Sequence, residues 1–186
     1  MYAIDLNTGL VAPAIQCPSP NWDLRPPNVS IDLIVIHCIS LPPGEFGTGS
    51  IERFFCNALD FSAHPYFKEI CGLEVSSHLL IDRSGTLIQF VPVHKRAWHA
   101  GDSAFQGRQR CNDFSIGIEL EGTEDTAFDD AQYDSLIALI RALRDAYPSL
   151  IDAPVTGHSD IAPGRKTDPG SEFDWSRLDA CGPENA

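Results

Sequence analysis

The chain has 186 residues, 43% hydrophobic and 21% charged, which suits one soluble domain with a single sizeable core and leaves little room for two. Its formal net charge of -13 repels phosphate backbones and anionic lipid, which counts against nucleic acid or a membrane as partner. The opening stretch MYAIDLNTGL lacks a basic segment followed by an apolar one, and no apolar run approaches the ~20 residues of a membrane span, so a cytoplasmic protein is expected.

Residues 1–30 are proline-rich and read as an irregular arm. SIDLIVIHCIS (30–40) is a continuous apolar run with β-branched residues, the pattern of a strand buried on both faces. SIERFFCNAL (50–59) reads as a short helix with Ser50 as N-cap, and AHPYFKEICG as a further helical turn closed by Gly72. VSSHLLIDRSGTLIQFVPV (75–93) predicts two strands around the turn Asp82–Gly85. Residues 94–112 carry few strand or helix signals. They predict a loop longer than most structureless connections, which itself suggests a site.

FSIGIELEG (114–122) alternates, with Phe114, Ile116, Ile118 and Leu120 on one face and Ser115, Gly117, Glu119 and Glu121 on the other. DDAQYDSLIALIRALRDAYP (129–148) is the strongest helix. Asp129 and Gln132 resemble a capping box, Tyr133, Leu136, Ile137, Ile140, Leu143 and Tyr147 form one apolar stripe, and Pro148 stops it. APVTGH is a short strand ending at His158. The sum is an α/β or α+β single domain, a mixed central β-sheet flanked by α-helices. The cysteines at 17, 38, 56, 71, 111 and 181 show no disulfide framework and no CxxC pair, so they read as reduced thiols rather than a zinc cluster.

The loop VTGHSDIAPGRKTDPG (155–170) concentrates the chemistry. His158 and Asp168 make half a metal site, held by a chain that prolines stiffen; a catalytic zinc wants a third protein ligand from elsewhere. His37, inside an apolar strand, is the strongest candidate among the other histidines. Position alone favours a satisfied core histidine there. His78 also lies in a strand and His99 in the long loop, while His64 and His94 read as surface or loop residues. Glu119 is either the solvent side of a half-exposed sheet, the commoner case, or a general base beside a metal-bound water. Lys95, Arg96, Arg108, Arg110, Arg165 and Lys166 are either scattered solubilising charge or a basic rim for a carboxylate-bearing substrate. Trp98 stands near that rim, where an indole stacks on a sugar or fills the core.

VIHCISLPPGEFG, AHPYF, KRAWHAG, GRQRCNDFSIGIELEG and TGHSDIAPGRKTDPG…FDW, in this order, resemble the zinc-dependent N-acetylmuramoyl-L-alanine amidases. Within that family they are similar to the cytoplasmic AmpD type, which acts on 1,6-anhydromuropeptides. The likeness runs from about residue 17 to 178. It implies a fold shared with peptidoglycan recognition proteins, a catalytic domain over 31–180 and a tail over 181–186. It implies one zinc held by His37, His158 and Asp168, with Glu119 and Lys166 as the catalytic pair. Tyr66, Trp98, His99, Arg110 and Arg165 would fall in the substrate cleft of a monomer whose partner is an anhydromuropeptide.

Three departures stand out. Cys38 replaces the family's usual asparagine, a stronger hydrogen-bonding group for substrate. Glu74 stands where a basic residue is usual. HSDIAPGRK replaces the more usual HCNIAPERK. Two other readings compete with the amidase: a non-catalytic muropeptide-binding module of the same fold, and an iron oxygenase, since two histidines and a carboxylate also hold iron.

Overall fold

The computed structural model describes residues 1–181, with the side chains of the last two left aside; of the expected tail, residues 182–186 lie outside the described residues. In chain order the strands are β1 (Ala3–Asp5), β2 (Leu10–Ala12), β3 (Ile15–Gln16), β4 (Trp22–Asp23) and β5 (Leu33–Ile39). Helix α1 (Ser50–Phe55) precedes β6 (Leu79–Ile81) and β7 (Leu87–Gln89). Then come β8 (Arg96–Ala97), β9 (Ala104–Phe105), β10 (Arg108–Gln109), β11 (Ser115–Glu121), α2 (Asp130–Ala146), β12 (Val155–Gly157) and α3 (His158–Ile161). No helix among the described residues is long and apolar enough to cross a membrane.

Six strands form the main sheet in the order β12-β5-β11-β6-β7-β3. The pairs are parallel except β6 with β7, the antiparallel hairpin that the sequence predicts. β5 and β11 sit at the centre because both faces of each can be buried; all seven residues of β11 are. Alternation then sorts their side chains. Ile34, Ile36, Ile116, Ile118 and Leu120 face α2 and pack with its Tyr133, Leu136, Leu139, Ile140 and Leu143. Each such side chain contributes roughly 1.5–3 kcal/mol when fully buried. The opposite face, with Leu33 and Val35, is covered by Ala100, Cys111, Phe114 and Ile161, while α1 supplies Phe54 and Phe55 to a third cluster under β6 and β7.

The capping box of α2 forms as expected, with the Asp129 N–H donating to Gln132 Oε1 at 3.1 Å. The Gln132 amide also donates to the carbonyls of Ile81 and Glu121, tying the helix start to two strand ends.

Four local expectations need correction. Ser50 is the first residue of α1, not its cap; Gly49, in the left-handed region at φ 68°, holds that position. Phe114 lies before β11 begins, so it packs beside Leu33 and Val35 rather than with Ile116 and Ile118. Residues 94–112 are not structureless, because β8 pairs with β4, and β9 with β10. The N-terminal arm is likewise built in: β1 and β2 form a hairpin, β3 extends the main sheet, and buried Gln89 bonds both Gly9 O and Val11 N–H. Arg25 anchors the rest, donating to the carbonyls of Asn112, Asp113, Val93 and Ser115.

Candidate active site

Parallel pairing aligns His37 of β5 with Glu119 of β11, so both side chains emerge on the same face of adjacent strands. β12 pairs Gly157 with Ile36, which brings His158, the next residue, alongside His37. Asp160 fixes this turn. Its Oδ2 accepts from Thr156 Oγ1 at 2.7 Å and from the Gly157 N–H at 2.9 Å, a role the sequence did not reveal. The loop closes through the Ser159 N–H, which donates to Asp168 O at 2.9 Å. That bond returns Asp168 to the foot of His158.

Three ligand-type atoms converge as a result. His37 Nδ1 lies 3.0 Å from His158 Nδ1 and 3.0 Å from Asp168 Oδ2, and the latter two are 3.1 Å apart. Exposures of 2%, 3% and 8% for the three residues leave water little access from behind. A tetrahedral zinc with bonds of about 2.0–2.1 Å would set its ligands about 3.3 Å apart, so two imidazole nitrogens and a carboxylate at this spacing fit a divalent cation. Among the described residues this is the group of histidine, cysteine and acidic side chains placed to hold a metal.

Burial controls the charges. Burial and then the neighbouring His158 hold His37 down to about 4, against partial relief from Asp168, so the ring is neutral at pH 7. Glu119 goes the other way. Burial, then the charge of Asp168, raises it well above an ordinary carboxyl, with Lys166 opposing. Its Oε2 is buried with no hydrogen-bond partner, so the solvent-side reading of Glu119 is wrong. The His99 ring packs on that face of β11, at Gly117, and shields it from solvent.

The three residues and Glu119 open into a cavity of about 960 Å³. Of the residues expected in the cleft, Cys38, Tyr66, Trp98, His99, Arg165 and Lys166 all line it. Cys38 packs toward the α2 cluster, as alternation from His37 requires, and also borders the cavity; burial and then the Glu119 charge push its thiol up. Arg110 is not among the lining residues. Its side chain is 70% exposed and leans on Asp113 at 3.4 Å.

Of the two readings of the six cations, scattered charge describes four of them. Arg96 pairs with Asp23 and Asp113, Arg108 with Asp32, and Lys95 sits over the Trp22 ring. Only Arg165 and Lys166 of the six line the cavity, and Glu74, Glu124 and Asp125 join them there. A stretch rich in cations does not reveal that acidic side chains claim half of them.

His78 proves to be the satisfied core histidine that the sequence could not tell from His37. Its Nδ1 accepts from the Gly117 N–H at 3.0 Å and its Nε2 meets Lys95 O at 3.0 Å. His64 caps a short 3-10 helix by accepting from the Tyr66 N–H. Asn112 carries no signal in the sequence. Its Oδ1 accepts from the N–H groups of His99 and Ala100 at 3.1 and 2.8 Å and so shapes the cavity wall.

A family model described as N-acetylmuramoyl-L-alanine amidase matches residues 27–171. The 1,6-anhydro-N-acetylmuramyl-L-alanine amidase AmpD of Escherichia coli K12 is 56% identical over 173 residues, covering 93% of this chain and 94% of that one. A crystal structure of a Se-Met AmpD derivative superposes with a TM-score of 0.92 at 53% identity, covering 96% of this chain and 98% of that one. The amidase AmiD of E. coli, solved with anhydro-N-acetylmuramic acid-L-Ala-D-gamma-Glu-L-Lys, gives a TM-score of 0.59 at 30% identity, over 84% of this chain and 60% of that one. With fold, site and sequence in agreement, the chain belongs to the N-acetylmuramoyl-L-alanine amidase family.

Proposed function

We propose that the chain hydrolyses the amide between the lactyl group of 1,6-anhydro-N-acetylmuramic acid and L-alanine in muropeptides, using one zinc held by His37, His158 and Asp168. Its family makes it a hydrolase of N-acetylmuramoyl-L-alanine amides that serves cell-wall recycling. The anhydro sugar is the form in the name of its 56% identical relative. The observation that carries the residue assignment is the triangle of three ligand-type atoms beside a buried carboxyl with an unpartnered oxygen. A complete ligand set with such a carboxyl speaks against a binding-only module, and family membership against the oxygenase. Since every member of the set comes from one chain, a monomer suffices. The likeness to cytoplasmic amidases extends the proposal to that compartment.

When bound, zinc supplies a Lewis acid that acidifies a water and polarises the substrate carbonyl. Glu119 takes a proton from the attacking water and later delivers it to the leaving amine of L-alanine. Burial raises its proton affinity above that of an ordinary carboxyl, which suits it to accept that proton. Lys166 presents its ammonium to the cavity, where it stabilises the charge growing on the carbonyl oxygen. Trp98 offers a flat face for the sugar and Tyr66 a polar wall opposite. Arg165, donating to Ala100 O and Asp102 O at 2.7 Å each, holds its guanidinium at the rim for a peptide carboxylate. Arg110, outside the lining, is left without a substrate role.

Purified protein is expected to carry about one zinc per chain and to release peptide from anhydromuropeptide. A chelator should stop release and added zinc restore it. Release that persists after complete metal removal would sink the proposal. Running non-anhydro muropeptide and whole sacculi in parallel defines the substrate.

A further inference from the structure

We propose that the His99–Ala100 turn is the positioning device of the metal site, and that His99 in particular fixes the tautomer of His37. This inference rests on the reading of His37 and His158 as ligands. A histidine can offer a ring nitrogen to a cation only if the proton sits on the other nitrogen. The structure supplies a reason for that placement in both rings.

The relay starts at a backbone carbonyl. Ser115 Oγ lies 2.6 Å from Cys111 O, and a carbonyl only accepts, so the single hydroxyl proton of Ser115 is committed there. Ser115 Oγ must then accept from His99 Nε2 at 3.0 Å. A His99 whose one proton sits on Nε2 carries a lone pair on Nδ1. That lone pair, 2.9 Å from His37 Nε2, draws the His37 proton to Nε2. The Nδ1 of His37 is left bare and faces His158 and Asp168. One residue on, Ala100 O accepts from His158 Nε2 at 3.1 Å and leaves the Nδ1 of His158 bare as well.

Gly117 gives independent support. It sits in the middle of a fully buried strand, where glycine is a poor choice. Its backbone needs no unusual conformation. A Cβ there would stand 2.5 Å from Cγ of His99. The glycine therefore makes room for the His99 ring flat against β11. His99 lines the cavity as the sequence reading expected, yet its ring nitrogens are both engaged by the protein, so it acts through His37 rather than on substrate.

The test measures zinc affinity by competition with a chromophoric chelator, alongside imidazole nitrogen NMR of the metal-free protein. His99→Leu fills the space and removes the acceptor; the zinc dissociation constant should rise about 10–100-fold. His99→Gln, which keeps an acceptor, should recover most of that loss. In the wild type the His37 resonance should show the Nε2-protonated tautomer, and in His99→Leu a mixture. Should His99→Leu fail to fold, Ser115→Ala breaks the relay one step earlier and should shift the tautomer likewise. An unchanged affinity in folded His99→Leu, or an Nδ1-protonated His37 in the metal-free wild type, overturns the inference. If the wild type binds no zinc, the ligand reading fails on its own, and the NMR tautomer still decides this one.

Discussion

His37 and His78 are two buried histidines on the same sheet, 2% and 0% exposed, on or beside strands separated only by β11. Burial lowers both, to about 4 and about 3. By charge and depth they are alike. They differ in what their nitrogens meet. His78 Nδ1 accepts from a backbone N–H, and its Nε2 meets the Lys95 carbonyl and, at 3.1 Å, the Arg25 guanidinium, so both nitrogens are engaged within the protein. His37 donates to His99 and turns its second nitrogen toward another imidazole nitrogen and a carboxylate. The first arrangement holds a fold together; the second is unfavourable until a cation arrives. A buried histidine's role is thus read from its second nitrogen, not from its burial.

Exchanging the roles is the strongest way to break this contrast. His37→Ala should abolish zinc retention and bring activity to background, while metal-free stability changes by less than about 1 kcal/mol, because relief of facing lone pairs offsets the small cavity. Metal analysis and denaturant unfolding together check this. A large loss of stability would make His37 a structural residue after all. Glu119, with its unpartnered oxygen, belongs on the same side of the contrast. Glu119→Gln should retain zinc and lose about 10²–10⁴-fold in kcat, read by peptide release from zinc-loaded protein.

The converse substitution gives a smaller effect of another kind. His78→Leu strands the Gly117 N–H and the Lys95 carbonyl, and should cost about 2–4 kcal/mol with zinc still one per chain. The same residue gives a pH signature. Its folded value near 3 lies below the ordinary 6.5, so between those values the unfolded chain binds the extra proton. Its share of stability is therefore present above pH 6.5 and lost as pH falls toward 3, at about 1.4 kcal/mol per unit. Unfolding of the metal-free protein across that range should show a shallower slope in His78→Leu than in the wild type.

The long elements are legible in the sequence. β5, β11 and α2 announce themselves because β5 is a continuous apolar run and β11 and α2 are periodic, each over seven or more residues, and the Asp129–Gln132 box is local chemistry. The two- and three-residue strands of the arm and of residues 94–112 are hidden, since they exist only by pairing with distant partners: β4 with β8, β3 with β7. The site divides along the same line. A family resemblance points to His37, His158, Asp168, Glu119 and Lys166, while residue pattern alone puts His37 and Glu119 on the structural side. For His37 the deciding contacts span 121 and 131 residues of chain, which no local pattern carries. Asn112 and the relay through Ser115 act on His99 and Ala100 across a loop without helix or strand periodicity, and Asp160, though its partners are three and four residues away, sits in a turn whose geometry the pattern does not give. One clue is present: Ser115, Gly117 and Glu119 share a small polar face, where the space at Gly117 is filled by the His99 ring.

The place of β12 has a consequence for how the protein is made. It is an edge strand and the last of the sheet in sequence, and two of the three proposed ligand residues follow it. A nascent chain that has not yet reached Val155 can pair β5, β11, β6 and β7, but it offers a cation His37 without His158 or Asp168. With the proposed ligand set, the metal can be captured only after β12 has docked and Asp168 has followed it. On that reading, loading the ion becomes a check that the edge strand is in place: a chain cut before β12 would still build most of its sheet, yet it would stay catalytically silent.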